Sequence, residues 1–366
     1  MSVQVYGSFR GQFSFGNISR AIVRALQEAK IPVTIYDIVN LNPIYEDIRA
    51  PVAMDNHAPV SILIGYPSQS SGWFQGHEHT VMVTVCETSR IPSDWASICH
   101  WMKFTVVPSA FCADAFQDSG VKNVKVIPHG IDSRLLVVGN QEGKAGAPDG
   151  AKLRFLHVSG AVSFPPRKGT PQLLYAWRRI AKRYPAHLYL KMSKIPQLLD
   201  ALESLKLQDS VTILPEEQIH PSTARQFYRQ FDAVIQPSRG EGFGLVPLEA
   251  RSCGVPAIFT NATGHAEYFD PRVDIEVETS SWTPMKTQGN EYGMAPGVTI
   301  AAVEAGIEKF MTDIQGCKAR TETWAKEQAE RWIWSRVLKP LVETIRPWTT
   351  KPRLHKLGAG YRGTAW

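Results

Sequence analysis

The chain has 366 residues, of which 43% are hydrophobic and 20% charged, a globular balance that excludes a disordered chain, a collagen and a coiled coil. At roughly 150 residues per domain, this length predicts two compact domains. Net charge is +6, and the segment 346–366 holds Arg346, Lys351, Arg353, Lys356 and Arg362 without an acid, so the rest of the chain is close to neutral.

No apolar run reaches the roughly 18 residues needed to span a bilayer. Residues 1–6 open directly into a strand pattern, without the basic and apolar regions of a secretion signal. A cytoplasmic protein with no transmembrane segment is expected. Cys86, Cys99, Cys112, Cys253 and Cys317 form an odd set with no C-x-x-C pair, which argues against a disulfide framework and a structural zinc site.

Short runs rich in β-branched and aromatic residues fall at 3–6, 33–36, 60–65, 80–86, 104–107 and 124–127, with helical spacing between them, as at 18–30. This is the rhythm of a parallel sheet with crossover helices. The loop 7–17, which contains Gly11 and Gly16, joins the first strand to the first helix and lets an acceptor or phosphate approach. Residues 139–150 break the rhythm with glycines, charges and a proline and read as a linker. The pattern restarts with strands at 154–158, 187–192, 211–214, 233–236 and 256–260 and helices at 170–184, 196–207, 221–231 and 245–253. After Gly297 the chain reads as mostly helical, and 319–344 is a long stretch placed to pack back on the first unit. The expected fold class is α/β, with two Rossmann-like doubly wound domains facing a central cleft. One spans 1–140, completed by a helix and tail at about 335–366, and the other spans 151–334. In open parallel sheets ligands sit at the carboxyl ends of the strands, which places a substrate between the two units.

The segment from Gln236 to Ala250 carries the most chemistry. An apolar strand runs into a glycine-rich turn and then a helix, so free N–H groups and the positive end of the helix dipole make an anion site. Gly242 and Gly244 permit close approach of a ligand to the backbone. Glu241 precedes the turn, and Glu249 follows eight residues later, about two turns into the helix. Such a carboxylate can accept two hydrogen bonds from a vicinal diol such as ribose. On spacing alone, a βα loop with two solvated glutamates fits equally well.

The stretch resembles the E-x7-E signature of retaining GT-B glycosyltransferases, the family 4-like group, with Glu241 and Glu249 at its ends and Gly242-Phe243-Gly244 inside. The resemblance continues through residues 250–258 to Thr263-Gly264. It also covers Val107-Pro108-Ser109, Pro128-His129-Gly130-Ile131-Asp132 and Arg167-Lys168-Gly169, in the expected order over about two thirds of the chain. It implies a nucleotide diphosphate sugar as donor, a hydroxyl acceptor entering from the first domain and retained configuration; no cofactor is expected, and the lack of a D-x-D sequence argues against a metal. Glu249 would bind the ribose hydroxyls and Glu241 the donor sugar. The amides around Phe243, Gly244, Leu245 and Val246 would face the diphosphate or sugar, with Ser238 and Thr263 beside them, and Lys168 would neutralise the departing diphosphate. Without a nucleophile given by the resemblance, front-face attack is the favoured route.

Two positions depart from the family pattern. The second basic residue expected several places before the lysine is missing, and Arg167, Arg239, Lys191 or Lys194 are the substitutes. Where the family often places a histidine in the first domain, this chain has Glu87, which would bind the acceptor or serve as its base. Its alternative is a surface carboxylate paired with Arg90. For His129, structural capping and substrate contact both stand open.

Gly358 to Gly363 satisfies G-x-G-x-x-G, but no strand precedes it and only three residues follow, so it is rejected as a dinucleotide fingerprint. His77-Glu78-His79 has no third ligand and reads as a solvated loop. The basic tail 346–366, with Trp348, Tyr361 and Trp366 interleaved, suits nucleic acid or an anionic surface, or is merely solvated. The first option extends the reading to a DNA-modifying glycosyltransferase acting on a hydroxymethylated base. A phosphorylase or nucleotide-sugar epimerase on the same fold, and a non-catalytic nucleotide-sugar or nucleic-acid binding module, are the competing hypotheses.

Overall fold

A computed structural model describes residues 2–9, 14–38, 58–70, 72, 79–136, 152–159, 166–215, 219–286 and 292–349. The first sheet contains β1 (Val3–Gly7), β2 (Val33–Asp37), β3 (Val60–Ile64), β4 (His79–Val83), β5 (Phe104–Val107) and β6 (Val124–Val126). All pairs are parallel, and the order is β2-β1-β3-β4-β5-β6. The apolar runs of β1 and β3 are buried throughout, as expected for inner strands covered on both faces. Their covering helices are α1 (Ser14–Glu28), α2 (Pro67–Ser70), α3 (Ser93–His100) and α4 (Ala110–Asp118).

The second sheet repeats the plan with β7 (Leu153–Val158), β8 (Ala186–Lys191), β9 (Val211–Leu214), β10 (Ala233–Gln236), β11 (Ala257–Phe259) and β12 (Ile275–Glu276), in the order β12-β11-β10-β7-β8-β9. Its first helices are α5 (Thr170–Arg183), α6 (Pro196–Ser204), α7 (Pro221–Tyr228) and α8 (Leu245–Ser252). Helix α5 buries Leu173, Leu174, Trp177 and Ile180 at helical spacing, and its arginines face outward. Strand order reverses between β7 and β10, and there a doubly wound sheet opens a crevice for ligand.

Two features differ from the sequence reading. An antiparallel hairpin of β13 (Thr279–Lys286) and β14 (Tyr292–Val298) follows β12 where no strand was expected. The helical region after 299 is divided: α9 (Ile300–Thr312) packs on β11, β12 and α5, α10 (Ile314–Glu327) packs on α8, and α11 (Trp334–Val337) and α12 (Lys339–Thr349) follow a short 3-10 turn. Leu338, Leu341, Val342 and Ile345 enter the apolar core of the first sheet, beside α1 and β3. No helix among the described residues is long and apolar enough to cross a membrane. The linker 139–150, Gly11, His77-Glu78 and the tail from 350 onward lie outside the described residues.

Candidate functional site

The chain leaves β10 at Gln236 and turns through 237–244 into α8. Gly244 adopts φ +78°, the left-handed conformation glycine takes without penalty, and heads the helix. The turn is pressed against the first sheet. A Cβ on Gly240 would fall 2.2 Å from the Glu87 carbonyl oxygen, and one on Gly242 would fall 2.8 Å from Val85 Cβ. Ser109 donates its hydroxyl hydrogen to the Gly242 carbonyl at 2.7 Å, which closes the contact between the two halves.

Glu241, between those glycines, is clamped by its own backbone. Its N–H donates to Thr263 Oγ1 at 3.2 Å, and its carbonyl accepts from Gly264 N at 2.8 Å. Thr263 takes φ +53°, a strained conformation for a residue with a Cβ, and strain of this kind persists only where the surroundings over-determine it. The side chain is buried and meets two cations. Lys168 Nζ lies 2.5 Å from Oε1, and Arg167 Nη1 lies 3.4 Å from Oε2. Burial alone would raise this carboxyl, but Lys168, Arg167 and His265 outweigh it and hold Glu241 well below the usual carboxylate range. Both cations come from the 166–168 turn after β7, the strand beside β10, so they meet Glu241 at the reversal of strand order.

The same guanidinium reaches across to the first sheet. Arg167 Nη1 donates to the Gly240 carbonyl at 2.7 Å and lies 3.1 Å from Glu87 Oε1. The carboxylate expected to pair with Arg90 thus pairs with Arg167 instead. The Thr88–Arg90 bend turns the Arg90 carbonyl toward the Thr88 hydroxyl and leaves Glu87 facing the second half. Of the candidate substitutes for the missing basic residue, Arg167 is the one brought to Glu241. Arg239 turns away, donating through Nε to the Pro296 carbonyl and through Nη2 to Thr283 Oγ1 on the hairpin. Lys191 donates to the Pro215 carbonyl, and Lys194 is exposed.

Glu249 lies one turn into α8 rather than two, because residues 242–244 are consumed by the glycine turn before the helix starts. Its Oε2 accepts from the Tyr228 hydroxyl at 2.6 Å. Burial raises its carboxyl above the ordinary range; the Tyr228 hydrogen bond opposes this, and the nearby charge of Asp132 adds to it. Leu245 and Val246 form the first turn of α8, where backbone N–H groups have no intrahelical acceptor. The Phe243 ring points inward, against Tyr268 and Trp332, so only its backbone faces the turn. Ser238 Oγ, Gln236 Oε1 and Ser159 Oγ are buried at the carboxyl edge of the second sheet and find no partner among the described residues. Orphaned polar atoms at such an edge are what a polar ligand would satisfy.

In the first half, Gly16 lies in the opening turn of α1. His129 packs its ring against Phe243 and Trp334 at centroid distances of 5.3 and 5.8 Å, and burial pushes it down to about 3. Two other buried histidines were not singled out by sequence reasoning. His157 bridges the Ile235 carbonyl and Thr170 Oγ1, each at 2.9 Å, tying β10 to the start of α5. His265 abuts Gly244. Burial lowers both to about 4. The one available signal was position: each follows a strand of the second sheet or lies within it.

These three histidines predict acid sensitivity. Each is neutral when folded and protonates near 6.5 when unfolded, so the unfolded state binds more protons as pH falls from 6.5 toward 4, and stability drops. The loss is about 2 kcal/mol per histidine between pH 7 and pH 5. Asp274, lifted by burial, works in the opposite direction and offsets part of the sum. Urea unfolding at the two pH values should show a net loss, with equal stability as the outcome that contradicts neutral burial.

Comparison with known proteins gives a consistent picture. Residues 200–341 match the profile of GT4-conflict, described as Family 4 Glycosyltransferase in conflict systems. Relatives include the D-inositol 3-phosphate glycosyltransferases of Segniliparus rotundus, 29% identical over 46% of this chain and 38% of that protein, and of Paenarthrobacter aurescens, 30% identical over 38% and 36%. The matched part of the chain thus spans well under half the length of these relatives. In fold, sucrose-phosphate synthase of Thermosynechococcus elongatus aligns with a TM-score of 0.70 at 14% identity, over 95% of this chain and 99% of that one. HepE of Anabaena, solved with UDP and glucose, aligns with a TM-score of 0.69 at 14% identity, over 95% and 100%. The chain thus has the GT-B fold across nearly its whole length, and residues 200–341 are similar in sequence to family 4 glycosyltransferases.

Proposed function

We propose that the protein moves a sugar from a nucleoside diphosphate to a hydroxyl acceptor with retained configuration and without a metal ion. The observation that carries this reading is the meeting of Lys168, Arg167 and buried Glu241 beside the start of α8, where the strand order reverses. Two cations and the first-turn amides supply positive charge to stabilise the negative charge that a leaving diphosphate develops, the role a metal would otherwise fill. The second unit would hold the donor, and the first, together with the helices that join its core, would present the acceptor. HepE, solved with UDP and glucose, supports a nucleotide-sugar donor, and the D-inositol 3-phosphate glycosyltransferase relatives support glycosyl transfer.

Front-face attack requires little of the protein beyond positioning. The leaving phosphate oxygen takes the acceptor proton while Lys168 stabilises the departing charge, and Glu241 holds the sugar. Glu87 would face the acceptor from the first unit, with Arg167 between it and Glu241. Incubation with a panel of nucleoside diphosphate sugars and hydroxyl acceptors, read by released diphosphate and by NMR of the new anomeric centre, tests this. An inverted centre would remove the retaining assignment, diphosphate release with no acceptor product would favour hydrolysis, and an altered nucleotide sugar with no release would favour epimerisation.

Glu249 gives a sharper expectation. With its carboxylate accepting from the ribose diol, Glu249→Ala should weaken donor binding about 10–100-fold, the effect of losing hydrogen bonds to a charged group. Calorimetric titration checks it, and wild-type affinity would remove Glu249 from the ribose site.

A further inference from the structure

His265 is a polar group at the Glu241 turn whose bonding is only half satisfied. Its side chain is 1% exposed, and its two ring nitrogens have different surroundings. Nδ1 lies 3.3 Å from Thr260 Oγ1. That hydroxyl has one proton and donates it to the Ser238 carbonyl at 2.6 Å, so toward His265 it can only accept. Nδ1 therefore carries the proton of the neutral ring, and Nε2 keeps a lone pair. No described residue bonds to Nε2.

Gly244 shows where that lone pair lies. A Cβ placed on Gly244 would fall 2.2 Å from His265 Nε2 and 3.2 Å from Glu241 Cγ. The imidazole edge thus lies beside the Glu241 side chain, whose oxygens already accept from Lys168 and Arg167, while Nε2 has no donor among the described residues. A buried acceptor without a donor carries its full desolvation penalty, which a ligand hydroxyl at Nε2 would remove, and a neighbouring hydroxyl can use the lone pairs that Lys168 and Arg167 leave on Glu241. Adjacent hydroxyls on a pyranose ring supply that pattern, and a carboxylate alone would read only one of them.

We propose that His265 Nε2 and the Glu241 carboxylate together accept hydrogen bonds from two adjacent hydroxyls of the transferred sugar, which makes His265 a residue that selects the sugar. This rests on the nucleotide-sugar reading above. A donor lacking the hydroxyl at His265 leaves the buried Nε2 unpaired, and a site built for a hydroxyl discriminates strongly against its absence.

His265→Asn is the informative variant, because the Asn Nδ2 group can still donate to Thr260 and only the Nε2 acceptor disappears. Wild type and variant are titrated with UDP and UDP-glucose, and with the GDP, ADP and TDP counterparts. The variant should bind the bare diphosphate as wild type does, while the added affinity from the sugar falls about tenfold. In wild type labelled with ¹⁵N-histidine, the His265 Nε2 resonance should shift with the nucleotide sugar and not with the diphosphate, a readout that stands even if the variant fails to fold. An unchanged sugar increment in a folded variant, or an Nε2 resonance unmoved by a sugar nucleotide that binds, overturns the proposal. If no nucleotide or nucleotide sugar of the panel binds wild type, the donor reading itself falls and this inference with it.

Discussion

Lys168→Ala is expected to lower turnover by roughly 10²–10³-fold, the effect of removing one pre-placed stabiliser of developing charge. The lysine is mostly buried and fixed 2.5 Å from Glu241, so its charge acts where water screens little. Its position is itself well supported. Gly169, just after it, takes φ +69°, and a Cβ there would fall 2.0 Å from the Pro237 carbonyl, so the turn sits directly on the end of β10. His157 pins the following Thr170 to β10 as well. The substitution also leaves Glu241 with Arg167 as its one remaining close cation, so its carboxyl should titrate higher. Single-turnover rates measured well below the unfolding temperature separate lost catalysis from lost fold. A decrease under tenfold would mean that the leaving group is stabilised elsewhere.

How far the sequence led to this arrangement depends on the kind of signal each part carries. The parallel sheets were readable because buried inner strands such as β3 and β10 are continuous apolar runs between glycine- and proline-bearing turns. The β10–α8 turn stood out because Gly242 and Gly244 flank a single aromatic and a helix follows. The hairpin was hidden for the opposite reason. Strand β13 is exposed along most of its length and lacks the alternation of a half-buried strand, and Pro284 and Pro296 lie within the two strands, where proline normally argues against a ladder. Yet this hairpin receives Arg239 and exchanges hydrogen bonds with Ser89 of the first half, so its omission also obscured where Arg239 goes. The partner of Glu87 was unreadable because Arg167 lies 80 residues away in sequence and local spacing offered Arg90. His157 and His265 were passed over because a lone histidine among apolar residues carries no pattern.

The largest expected stability change lies behind the site, at Arg251 on α8. Its side chain is 1% exposed and forms an ion pair with Asp274, which is equally buried. The guanidinium also donates to the Tyr268 carbonyl at 3.1 Å and lies over the Trp324 ring, 3.8 Å from its centroid. One side chain thus joins α8 to α10 and to the loop bearing Tyr268, whose hydroxyl in turn bonds the Gly244 carbonyl at the head of the helix. Arg251→Ala leaves Asp274 buried without its counter-charge and opens a cavity beneath Trp324. Breaking a buried pair from one side costs about 3–5 kcal/mol. Removing both charges is a different matter, since the desolvation penalty of the pair disappears together with its attraction. The double variant Arg251→Met with Asp274→Leu should therefore recover most of the loss, as urea unfolding midpoints at constant m-value would show. A single variant within 1 kcal/mol of wild type would mean that this pair does not hold the helix. Recovery of stability without recovery of donor affinity would show instead that Arg251 is needed to orient the amides at the start of α8, beyond its part in keeping the fold.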